Sequence, residues 1–150
     1  MSELGDRRAV RIPLEVAGNG FFDLGAVMAA VGPHPQLRWV LRDAWLVGDL
    51  RTVWAEGAAS VEERSELGPG IALDWDTMTR LAATCDQVID GYFTGYDDAG
   101  TPQLELAAVD SGWWKVWARD PRTLLRVRES FPLVTDDHPE PDPEPAPNHP

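Results

Sequence analysis

Val10, Ile12, Leu14 and Val16 alternate with Arg11, Pro13 and Glu15, the period-two pattern of a half-buried strand. Pro13 has no amide to give a ladder, so this strand is expected at a sheet edge or only partly paired. Gly18-Asn19-Gly20 reads as a turn. Asp23 is placed to cap a helix in which Leu24, Val27, Met28 and Val31 recur at helical spacing, and Gly32-Pro33 ends it. Leu37, Trp39 and Leu41 alternate with Arg38, Val40 and Arg42, and the apolar run continues through Val47 to Gly48-Asp49. That is a long strand. Residues 51–70 carry no clear period; Ser60 and Glu63 stand at capping-box spacing, which predicts a turn of helix.

The second half is more regular. Asp74 caps a helix whose apolar face holds Trp75, Met78, Leu81, Ala82 and Cys85. Gln87–Tyr96 is rich in Val, Ile, Tyr and Phe and reads as a strand. Asp97-Asp98-Ala99-Gly100 turns it into a returning strand over Leu104–Val109. Asp110-Ser111-Gly112 turns again into a strand over Trp113–Ala118. Asp120-Pro121 starts a last helix through Leu124, Leu125, Val127 and Phe131. The order βαβ then αβββα predicts an α+β fold, with one antiparallel or mixed sheet and helices packed on one face.

Composition sets the boundaries. Residues 135–150 contain six prolines, five acids and no large apolar side chain, too little burial to offset ordering entropy. They are expected to form a disordered, acidic, Pro-rich tail. Residues 1–8 are expected to be a flexible N-terminus, leaving 9–134 as a single domain. The start has no apolar segment of the signal-peptide kind and no run approaches ~18 apolar residues, so a cytoplasmic protein is expected. The net charge is −12, which argues against a nucleic-acid backbone or an anionic membrane as partner.

Signatures of chemistry are few. The chain contains no P-loop, no nucleophile elbow and no H-E-x-x-H motif. Of three histidines only His34 lies in the predicted body, and the lone Cys85 reads as a small core residue. No catalytic residue, metal site or cofactor is therefore assigned. Two patterns remain. Residues 81–114 carry Asp86, Asp90, Asp97, Asp98, Glu105 and Asp110 without a single Lys or Arg. There are also seven tryptophans, and Trp113 and Trp114, adjacent in a strand, must point to opposite faces. Trp113 and Trp117 share a face with Lys115 between them, and that face is either covered by another element or an aromatic binding patch.

The segment Ala107-Ala108-Val109-Asp110-Ser111-Gly112-Trp113-Trp114-Lys115-Val116-Trp117, with Asp120, Leu124-Leu125 and Phe131 after it, resembles the C-terminal pattern of small bacterial proteins. Some of these are similar to immunity proteins that neutralise secreted toxins. Spread over residues 72–133, the resemblance implies a small cytosolic α+β protein and no catalytic residue. Charge, tryptophan and resemblance together lead to a non-enzymatic acidic protein that captures a basic protein partner, in the immunity case a toxin domain. The expected contact residues are Asp90, Asp97, Asp98, Glu105, Asp110, Trp113 and Trp117. The alternative is a small hydrolase or metal-dependent enzyme using Asp90 and a neighbouring carboxylate. An acidic mimic of DNA ranks third, because the acids cluster instead of spreading along one long surface.

Overall fold

The computed structural model describes residues 9–13, 15–16, 20–54, 58–110, 112–132, 134–136 and 143–146. In chain order these form β1 (Ala9–Pro13), β2 (Glu15–Val16), β3 (Gly20–Phe21), α1 (Leu24–Val31), β4 (Arg38–Gly48), α2 (Ala58–Glu66), β5 (Ile71–Leu73), α3 (Trp75–Thr84), β6 (Cys85–Tyr96), β7 (Pro102–Val109), β8 (Trp113–Ala118), α4 (Pro121–Ser130) and β9 (Thr135–Asp136). Seven strands make one sheet in the order β5-β4-β6-β7-β8-β1-β9, antiparallel at every pairing. β2 and β3 pair as a separate ribbon. The fold is the expected α+β arrangement.

Helices pack on one face. Val27, Met28 and Val31 of α1, Met78 and Leu81 of α3, and Leu124 and Val127 of α4 join Trp39, Leu41, Phe93, Leu106, Trp114 and Val116 of the sheet in a single core. The caps form as the sequence requires. Asp23, Asp74 and Asp120 accept amide hydrogens from Ala26, Thr77 and Arg122. Trp39, 1% exposed, lies over Gly95, where an added Cβ would stand 3.1 Å from the indole. A side chain there would push one of the two largest fully buried residues off the sheet. Gly70, at φ +89, would bring a Cβ within 2.6 Å of the Leu41 carbonyl, so the entry into β5 needs glycine.

β4 outruns its short neighbour β5, which covers only Trp39–Leu41. Beyond that point α2 takes over. Ser65 Oγ accepts the Ala44 amide at 2.9 Å, and Glu62 Oε1 accepts the Leu46 amide at 3.2 Å. The strand edge is thereby satisfied by helix side chains. α2 is a helix of nine residues beginning at Ala58, longer than the single turn expected, and Ser60 lies inside it and not at its cap.

Three expectations change. Cys85 opens β6 and is half-buried, instead of ending the apolar face of α3. β1 lies inside the sheet and not at its edge; among the described residues its outer side meets β9 at Val10 and Arg11, a partial pairing of the kind Pro13 allows. The acidic tail is not wholly separate from the body. Thr135–Asp136 form β9, and Ala146, 7% exposed, donates its amide to Gly100 O at 3.1 Å. Backbone left unpaired on β1 and Gly100 offers hydrogen bonds that side-chain composition does not register. The Gly18-Asn19 turn, residues 1–8 and the tail positions 137–142 and 147–150 lie outside the described residues.

Candidate functional site

The face of the sheet away from the helices carries the chemistry. Strand alternation puts Arg42, Tyr92, Thr94, Glu105, Trp113, Lys115, Trp117 and Arg11 there, through the pairs Arg42–Tyr92, Thr94–Glu105, Glu105–Trp117 and Arg11–Lys115. Trp114 points the other way into the core and donates its indole N–H to Phe22 O at 2.8 Å.

The expected contact residues do not assemble into one patch. Asp97 and Asp98 sit at the β6–β7 turn, whereas Asp90 lies seven residues back along β6, roughly 23 Å at ~3.3 Å per residue. Asp97 is occupied in building its turn. Its carboxylate accepts the amides of Ala99 and Thr101 at 3.0 and 2.9 Å and the Gln103 side-chain amide at 3.0 Å. Trp117 is 2% exposed, with the Arg119 guanidinium 5.3 Å from its ring centroid. It is therefore no water-facing anchor: Glu105 and Ala9 flank it in the adjoining strands. Its Nε1 is buried with no hydrogen-bond partner among the described residues. Trp113 is half-buried under Arg11, whose guanidinium carbon stands 4.2 Å above the ring. Each of the two tryptophans thus has a guanidinium over or beside its ring.

Asp90, Glu105 and Asp110 do converge, around a residue the sequence did not single out. Tyr92 is 41% exposed. Burial and then the carboxylates of Glu105, Asp43, Asp90 and Asp110 push its hydroxyl pKa up. Asp90 accepts the Asp110 amide at 2.8 Å, which ties the β7–β8 turn to β6. Asp110 and Asp43 both hold left-handed backbone, at φ 49 and 51, a conformation Asp tolerates better than most residues. Directly opposite Asp90 in β4 stands Trp45, 54% exposed, with Val47 beyond it at 41%. An exposed indole, an exposed phenol and three accessible carboxylates therefore share one half of this face.

Glu105 forms the inner member of the group. Burial raises its carboxyl pKa, against the Thr94 hydroxyl bond at 2.8 Å and the pull of Lys115 and Arg42. A cleft of about 380 Å³ opens beside it, between Arg42, Asp43 and Tyr92 on the sheet and Pro143, Glu144 and Pro145 of the tail. Arg42 donates to the Tyr96 hydroxyl at 2.8 Å. A second cleft of about 380 Å³ is lined by His34, Gln36, Asp97, Gln103, Asp120 and Thr123. Burial lowers the His34 pKa, and its Nε2 lies 3.2 Å from Val31 O. Asp120 in that cleft is already paired with Arg122 at 3.0 Å. Among the described residues no three His, Cys, Asp or Glu side chains come together as metal ligands, and no helix is long and apolar enough to cross a membrane.

Comparison with known proteins gives no match to a family model, to a curated protein or to a solved structure.

Proposed function

We propose that this protein is a non-enzymatic acidic binding module that captures a basic protein partner through the Trp45–Tyr92 half of its open face. The observation that carries the reading is the exposed Trp45 and Tyr92 set among Asp43, Asp90 and Asp110. Carboxylates draw Lys and Arg toward a surface whose aromatic rings then hold the cations by cation–π contact and exclude water. A net charge of −12 adds long-range steering. A toxin domain, as in the immunity-type proteins the C-terminal pattern resembles, is one partner of this chemistry. The alternative, a carboxylate enzyme using Asp90 and a neighbouring acid, draws less support from the site, because Asp90 is engaged by the Asp110 backbone amide.

The surface is tested by affinity capture from the native host at low salt, with the full chain and with a Trp45→Ala, Asp43→Asn, Asp110→Asn variant as baits. Asn is used because it tolerates the left-handed backbone. The expected result is a protein of isoelectric point above ~9 held by the first bait and lost from the second. Its association rate should fall with added salt, and the Trp45 change should act mainly on dissociation. An association rate indifferent to both ionic strength and the two Asn changes overturns the reading, as does a partner that binds both baits equally.

A further inference from the structure

The tail repeats a two-residue pattern, Pro139-Glu140-Pro141-Asp142-Pro143-Glu144-Pro145-Ala146-Pro147. An acid follows each proline until Ala146. That single break in the repeat is the buried residue of the segment, at 7% exposure with its amide on Gly100 O at 3.1 Å in the β6–β7 turn. The three residues before it line the cleft with Arg42, Tyr92 and Glu105. We infer that the open face carries a groove for an extended, acidic, proline-rich peptide, and that the chain's own Pro143–Ala146 segment occupies it in cis. This site adjoins the Trp45 surface through Tyr92 but does not depend on it.

The fit follows from the chemistry of such peptides. A proline-rich strand has little conformational entropy left to lose and no internal hydrogen bonds, so its rings lie on aromatic surface and its carbonyls seek donors. The groove supplies the Tyr92 ring and the Arg42 guanidinium, and the latter complements Glu144 on the same cleft. Register comes from Ala146. A slip of two residues in either direction places Glu144 or Asn148 at the buried seat, and desolvating a polar or charged side chain there is costly. The repeat offers many registers and the groove admits one. A cis segment on a short linker acts at an effective concentration of about millimolar, so a free peptide of the same pattern is largely excluded while the strap is seated.

The test uses full-length chains and a fluorescently labelled peptide with the sequence of residues 139–150. Ala146→Asp makes the repeat uniform and should release the strap. By anisotropy the A146D chain is expected to bind the labelled peptide saturably, with the unaltered chain at least tenfold weaker. A peptide carrying the same Ala-to-Asp change should not compete. Absence of binding to A146D, equal binding to both chains, or equal competition by the altered peptide each overturns the inference. Independently of any variant, amide exchange in the unaltered chain should show Ala146 protected; exchange at the rate of an open chain overturns cis occupancy.

Discussion

Aspartates illustrate how one residue type serves different ends within a few positions. Asp97 looks like part of an acidic binding surface in the sequence, yet its oxygens close the turn over Ala99, Thr101 and Gln103. Asp23, Asp74 and Asp120 cap helices. Such roles were legible, because Asp before a helix or within a turn satisfies backbone amides that nothing else reaches. Glu105 differs, for it stands in a central strand next to Trp117. Burial outweighs the Thr94 bond and the nearby cations and leaves its pKa raised. The folded chain therefore keeps this proton at pH values where the unfolded chain has lost it. The contribution of Glu105 to stability thus declines as pH rises above ~4.3, the ordinary glutamate value. Glu105→Gln keeps an acceptor for Thr94 and removes the titration. Its melting temperature relative to the unaltered chain should rise between pH 4 and pH 7; a difference that is constant or shrinks over that range refutes the account.

At the scale of elements, β4 decides where the site lies. Buried positions are odd through Leu41 and even from Ala44 onward, because the register with β6 shifts between Arg42 and Trp45. The shift turns Trp45 outward beside Asp90. Two consecutive polar residues, Arg42-Asp43, break the alternation and were the available signal for this bulge, but the apolar run through Val47 reads as one uninterrupted strand. α2 then secures the far end of β4 through Ser65, which is 2% exposed, accepts from the Ala44 amide and donates to Glu62 O at 2.7 Å. Ser65→Ala should leave a buried amide unmatched and cost about 1–3 kcal/mol, read as a lower denaturant midpoint and faster exchange at Ala44. An unchanged midpoint with unchanged exchange shows that the clamp contributes nothing. The residues 51–70 hid this helix because its sequence, AASVEERSE, is polar from Glu62 onward and so shows no apolar stripe at helical spacing.

For the whole molecule, the sheet separates two environments. One face is closed by α1, α3 and α4; the other holds the Trp45 surface and the groove beside Glu105, with described tail residues on both β1 and Gly100. Composition alone leads to the expectation that removing residues 135–150 leaves stability unchanged. The structure leads to the opposite. Truncation after Val134 removes β9 and the Ala146 contact and should lower the melting temperature by roughly 2–4 °C for each kcal/mol lost, most visibly as faster amide exchange in β1. Identical melts of the truncated and full chains would return the tail to the status of a free appendage.

Local patterns determined the α+β class, the caps at Asp23, Asp74 and Asp120, and the antiparallel run from β6 to β8. Each depends on interactions between residues a few positions apart, or on an alternation that repeats along one segment. Tertiary structure alone decided which aromatic rings stay in water. Trp113 and Trp117 are taken up by Arg11 and Arg119, whereas Trp45 and Tyr92 stay open beside Asp90. Those outcomes turn on a one-residue shift of register and on which distant strand lies alongside, and neither leaves a periodic mark in the sequence.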